Sequence, residues 1–234
     1  MGNKIKCLNC NKLIPSTKYK FCPFCGQSAS VERISAKVVL EGVLNAFNFD
    51  NNRILYTLKS MLSNPGETML DYLEGGRHKY QNPISFLFLS LFFYGLIINY
   101  LVAPQGNYIG VIMIFNQFKL VFLMAGLSGI GWVISGRPRF NYYETFIIFS
   151  FVYGTSFFIT PIFTLIQVEI EVMQKMKSLP KITKFLASDF PSILFIFYCL
   201  ASFFKAAKIS WFRFALTGVV GLAYYLFFIE EFAK

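Results

Sequence analysis

Four cysteines near the front of the chain, Cys7, Cys10, Cys22 and Cys25, have the clearest capacity for chemistry. Their spacing is C-x2-C-x11-C-x2-C. Thiolates suit a borderline-soft ion with tetrahedral coordination, and a two-residue gap lets the backbone turn both sulfurs toward one ion. Gly26, just after the second pair, fits a turn position of positive φ. Asn11, its equivalent after the first pair, is the next most tolerant residue type there. The eleven residues between the pairs, NKLIPSTKYKF, are enough for a tight hairpin and too few for a separate core. Metal must therefore supply the folding energy. Four cysteines also fill the shell and leave no position for a reactive water, so the expected ion is a structural zinc.

Other readings of these cysteines weigh less. Two disulfides require an oxidising compartment, against the charge pattern described below. A redox dithiol needs one CxxC, normally at a helix N-terminus in a βαβ setting that the sequence does not offer. A rubredoxin-like iron site uses similar knuckles with a longer spacer. The stretch KYKFCPFCGQ resembles the second knuckle of the short zinc ribbons that open many prokaryotic proteins, with Asn11 in place of their customary glycine.

The elements that must position this module differ sharply from it in composition. Of 234 residues, 55% are hydrophobic, 19% aromatic and only 15% charged, where a soluble domain carries roughly a quarter charged. Eleven of the 22 Lys and Arg residues and half of the 12 acids fall before residue 84. The expected organisation is a zinc ribbon over 1–27, a polar segment over 28–83 and a membrane-embedded helical part over 84–234. MGNKIKCLNCNK lacks the apolar core of a cleavable signal, and Lys6 stands where a myristoylation motif after Gly2 needs Ser or Thr.

In the middle segment, SVERISAKVVLEGVLNAFNF and NNRILYTLKSMLSN place apolar residues near one helical face. Both are too polar to span a bilayer and suit its surface or the ribbon. In NPGETMLDYLEGGRHKYQNP, Pro65 fits a first helical turn, Glu67 and Asp71 favour the N-terminal half, and Gly75-Gly76 stops the helix. Arg77, His78 and Lys79 then form a juxtamembrane basic cluster suited to anionic lipid headgroups. The elements Pro65-Gly66, Tyr72, Gly75 or Gly76, Arg77, Tyr80 and Asn82-Pro83 resemble the hallmark of a bacterial family of multi-pass membrane proteins with an N-terminal zinc ribbon. That family is a domain of unknown function, so the resemblance implies an architecture and no activity. RPRFNYYETF at 137–146 resembles a second element of the family around Asn-Tyr-x-Glu. The family often continues there with His, whereas Thr145 and Phe146 follow here, so no histidine role carries over.

Five spans are expected, at about 84–103, 118–135, 144–167, 191–205 and 212–229, making an all-α polytopic membrane protein behind a small β-hairpin zinc module. Lys119 is expected to snorkel at one interface. Positive charge should mark the cytoplasmic side. The front segment, the link with Arg137 and Arg139, and the link around Lys205, Lys208 and Arg213 alternate with a charge-free 104–109 loop and an acidic tail. This predicts an inner-membrane protein with a cytoplasmic N-terminus and an outside C-terminus. The Lys-rich 168–190 loop runs against the rule.

Little else could do chemistry. His78 is the sole histidine, which leaves triads and histidine metal sites without material. No Gly-rich phosphate loop follows a strand. Ser128, Thr155 and Ser156 should bond their own helices, and Cys199 reads as a small apolar residue. The ribbon lysines balance a dianionic zinc tetrathiolate better than they argue for nucleic acid. The leading expectation is a ribbon that serves as an interaction or assembly module, with a protein partner or a second copy, besides the bilayer and its anionic headgroups. Transport of a small solute, lipid or ion is the alternative. A membrane enzyme built on the polar cluster of Tyr80, Arg137 and Glu144, with Arg77, is the third reading.

Overall fold

The computed structural model describes residues 5–15, 19–102, 121–136, 139–173 and 181–232. At the front, β1 (Ile5–Lys6) pairs antiparallel with β2 (Leu13–Ile14), Ile5 opposite Ile14 and Lys6 opposite Leu13. A second contact of the same kind joins Phe21 to Ser28, and the Ala29 N–H donates to the Lys20 carbonyl at 2.9 Å. Pairing therefore runs across each CxxC rather than within the spacer. Each knuckle is itself the turn of a short hairpin, and the ordered module reaches Ala29.

Residues 31–35 are extended and lead to α1 (Ala36–Leu44). The amphipathic stretch expected from residue 30 onward is thus helical for nine residues only. The reason lies in its backbone, which bonds elsewhere: the Glu32 carbonyl accepts from Arg77 and the Ile34 carbonyl from Asn141. Val38 and Val39 on α1 join the main core, while Leu40, Val43 and Leu44 face outward. α2 (Asn51–Ser63) starts at Asp50, whose Oδ1 accepts from the N–H groups of Asn52 and Arg53, satisfying donors that a helix start leaves free. α3 (Pro65–Glu74) follows at once, with Pro65 at its first position and Gly75 ending it in the left-handed region at φ 114°. Both features match the sequence expectation.

Gly66 decides how α3 sits. Its N–H donates to Ser202 Oγ at 3.1 Å, and a methyl group in its place would collide with the Ser202 backbone carbonyl. Five largely apolar helices complete the fold: α4 (Pro83–Val102), α5 (residues 121–131, running into a π-helical turn Trp132–Gly136), α6 (Tyr142–Met173), α7 (Lys181–Ala206) and α8 (Trp211–Phe232). α6 is central, packed between α4 and α7, and α3 lies along α7. Phe86, Phe151 and Val152 are fully buried in this core, and Cys199 joins it as the small apolar residue expected. A second cluster ties Leu87 and Leu91 to Leu123, Met124 and Leu127 of α5 and to Phe149.

The five apolar helices fall at the five expected segments. One of them, Tyr142–Ile166, is long and apolar enough to cross a membrane; the apolar parts of the others, Pro83–Ile97, Val121–Ile134, Pro191–Ala206 and Trp211–Tyr224, are shorter among the described residues. α7 begins ten residues earlier than its apolar run and carries Pro191 in its interior. Ser128 and Thr155 donate to the carbonyls of Met124 and Phe151 one turn back. Residues 103–120, with Asn116, Gln117 and Lys119, and residues 174–180 lie outside the described residues, as does the side chain of Asn99.

Gly66→Ala should lower the thermal unfolding midpoint of the purified chain, costing about 1–3 kcal/mol through overpacking against a backbone that cannot yield. Gly129→Ala, where the nearest atom to a new methyl is 3.9 Å away on Tyr142, should be neutral or slightly stabilising. Equal losses in both variants would refute the close α3–α7 approach as the cause.

Candidate metal centre and its docking seam

The two knuckles share one backbone pattern. The Cys7 N–H donates to the Lys12 carbonyl and the Asn11 N–H to the Cys7 carbonyl; in the second knuckle Cys22 donates to Gln27 and Gly26 to Cys22. Asn11 and Gly26 hold φ of 59° and 75°, so the two positions singled out by residue type are the two left-handed ones. This geometry converges the sulfurs. Cys7 Sγ and Cys25 Sγ are 3.6 Å apart, Cys10 Sγ and Cys22 Sγ 3.7 Å, and all four lie within 4.8 Å of one another. A tetrahedron with zinc–sulfur bonds of about 2.3 Å has edges of about 3.8 Å. The Cys7–Cys25 and Cys10–Cys22 separations match those edges, and the four thiols, none of them in a disulfide, form a zinc-ribbon site for a structural ion. Burial opposes ionisation of Cys25, but hydrogen bonds from the Gln27 backbone and the Asn9 amide outweigh it and bring its pKa to about 7. The ion itself would be held by the four thiolates, which it would keep deprotonated.

The ribbon does not stand apart from the helices. Leu8 of the first knuckle packs on Gly75 at the end of α3. Gln27 Oε1 accepts from the His78 N–H at 2.8 Å, and the His78 ring lies against Gly26. Arg53 Nη2 is 3.1 Å from His78 Nε2. A guanidinium only donates, so Nε2 accepts and the imidazole is neutral with its proton on Nδ1. Burial, then the Arg53 charge, hold the His78 pKa below its ordinary value. Arg77 donates to the Tyr72 and Glu32 carbonyls, and Lys79 pairs with Asp71 at 2.9 Å. The three cations expected to face headgroups are thus engaged within the protein, two of them on the ribbon side.

A second clamp joins the extended strap to α6. Arg33 Nε and Nη2 reach Glu144 Oε1 and Oε2 at 2.8 and 2.9 Å, a bidentate pair. Glu144 Oε2 also accepts from the Asn141 N–H, while Asn141 Oδ1 accepts from the Glu144 N–H, each at 2.8 Å. These reciprocal bonds are a capping box with Asn in the first position. The Asn141 amide then reaches the Ile34 carbonyl at 2.7 Å. The Asn-Tyr-Tyr-Glu element therefore caps α6 and grips the strap in one constellation.

Tyr80 and Glu144 are not brought together. Tyr80 is buried beside Tyr72 and Phe151, with its pKa raised by burial and by Asp71; Tyr72, also buried, is pushed up to about 12. Arg137 lies outside the described residues. Arg33, Gln27 and Arg53 carry the seam, and sequence reading did not single them out. Arg33 is the sole cation between Lys20 and Lys37, but its partner is 111 residues away, and no local pattern announces such a pair.

Residues 51–95 match a family described as Protein of unknown function (DUF3667). Residues 4–59 match one described as Nin one binding (NOB1) Zn-ribbon like. The first match covers α2, α3 and much of α4, including the Pro65 to Pro83 motif; the second covers the ribbon, the strap, α1 and the first part of α2, where the two overlap. No curated protein and no solved structure matches the chain.

Cys22→Ser should abolish stoichiometric zinc in elemental analysis and render the remaining ribbon thiols reactive, with far-UV helicity retained. Arg33→Met should cost about 1–3 kcal/mol by leaving the Glu144 carboxylate without its charged donors, read as a lower unfolding midpoint. His78 adds a pH term. Because its folded pKa is lowered, its stabilising contribution is present above the unfolded value of about 6.5 and is lost as pH falls through and below it. Protease cleavage within residues 28–35 should accelerate below that pH in the parent and much less in His78→Asn; parallel profiles would remove His78 as the cause.

Proposed function

We propose that the chain is an integral membrane protein of a bacterial inner membrane whose cytoplasmic zinc ribbon is an interaction module carried on a five-helix body. The observation that carries this reading is the ribbon's outer face. Its metal shell is closed to chemistry, one side rests on Gly75 and His78, and yet Phe21 and Phe24 are 61% and 54% exposed, with Leu13 and Tyr19 exposed as well. Exposed aromatic side chains on a metal-pinned module fit protein recognition. Support for the bilayer comes from the helices. Phe92, Phe122, Phe212 and Val219 all point outward from apolar helices, a surface that water penalises and lipid does not. Leu44 and Phe47, exposed at the end of α1, suit the interface between headgroups and acyl chains.

The transport reading gains no such support. Ser128 and Thr155 are spent on their own helices, and Glu144 is bound by Arg33 and by its own cap. Extraction tests the membrane part: the full-length chain should resist carbonate and need detergent. For the ribbon, Phe21→Ser with Phe24→Ser should retain zinc and membrane insertion while losing the proteins that co-purify with the parent; removal of residues 1–27 should lose the zinc ligands and the same proteins while keeping membrane insertion. An unchanged set of associated proteins in both variants would overturn the interaction role.

A further inference from the structure

The seam between ribbon and helices encloses an open polar cavity of about 270 Å³. Gln27 and Ser28 form its ribbon wall, Arg53 enters from α2, Arg77 and His78 from the loop after α3, and Asn82 from the start of α4. Its charge is unbalanced. Arg53 has Asp50 at 3.2 Å as a counter-ion, but the hydrogen bonds of Arg77 among the described residues go to two backbone carbonyls, which do not neutralise it. His78 lines the same space and adds no negative group. No carboxylate is among the residues that line the space.

From this we propose that the cavity is a binding site for a phosphate group, completed only when the ribbon is docked. Two guanidiniums from different elements line one space, and each keeps N–H donors beyond the Nε and Nη2 bonds it already makes; two such cations suit a multiply charged oxyanion better than a single carboxylate. The side-chain amides of Gln27 and Asn82 add neutral polar groups at the rim. At roughly 30 Å³ per water, the volume holds a phosphate monoester with part of its hydration. The ligand would tie the ribbon to α2 and to the α3–α4 loop, so that occupancy and docking reinforce each other. The phosphate could belong to a soluble ester or to a lipid headgroup, since α4 begins at the cavity. The site stands without the interaction role proposed above, because its walls exclude the exposed Phe21–Phe24 face.

Full-length, zinc-loaded protein in phosphatidylcholine nanodiscs, titrated with inorganic phosphate by calorimetry, tests the site. Saturable binding is expected, weakened about tenfold or more in Arg77→Met and in Arg53→Met. Ser28→Phe should block binding by filling the cavity while leaving both arginines in place, with zinc content confirming that each variant's ribbon is intact. Loss of the phosphate signal in discs containing phosphatidic acid identifies a lipid headgroup as the natural source, and an unchanged signal identifies a soluble phosphate; both support the site. Absence of saturable phosphate binding together with no retained phosphatidic acid by native mass spectrometry would overturn it, as would equal affinity in Ser28→Phe. If the chain dissolves without detergent, the membrane reading fails and the same titration proceeds in buffer.

Discussion

One carboxylate, Glu144, holds three parts of the molecule in register. Its side chain is 8% exposed while that of Arg33 is 59% exposed, so the pair sits at the boundary between core and solvent. A charge taken this far from water needs its acceptor sites filled. The Arg33 fork and the Asn141 N–H fill them. Satisfying one buried anion thereby caps α6, lays the extended strap across its start and fixes how far the ribbon can stand from the helices. The strap's length and the knuckle contacts at Gly26, Gly75 and His78 follow from that anchor.

The metal site and the seam divide the work of folding the front of the chain. A module of some two dozen residues cannot bury enough apolar surface to fold alone, and here it buries chiefly Cys7, Ile14 and Cys22. Four converging thiols supply the missing free energy locally through metal binding. The body then contributes docking contacts in the form of Leu8 on Gly75 and Gln27 on His78. Among the described residues these contacts mix one apolar side chain with polar bonds, so the ribbon is docked on the body by a small seam while its metal holds it together.

The motif between Pro65 and Pro83 has a physical explanation at nearly every position. Pro65 starts α3, and Gly66 admits the α7 backbone. Gly75 takes the left-handed cap, and Tyr72 and Tyr80 pack edge-to-face with Phe151. Asn82 caps α4 by accepting from Ile84 and Ser85, with Pro83 at the first helical position. Read as sequence, the run looked like a basic approach to a membrane span. In three dimensions it is the hub on which ribbon, α2 and the apolar helices meet.

What the sequence determined by itself was local. The CxxC spacing specified four ligands to one ion, residue types at 11 and 26 specified left-handed turns, Pro65 and Gly75 bounded α3, and long apolar runs located five helices. Each of these follows from the covalent reach or the conformational freedom of neighbouring residues. Tertiary structure decided everything that depends on distant partners. It stopped α1 from starting at residue 30, set Arg77 on the Glu32 carbonyl and His78 on Gln27, and gave Glu144 to Arg33 across 111 residues. A side chain's charge is written in the sequence, but which opposite charge or open backbone group satisfies it depends on where the chain returns, and no local periodicity encodes that.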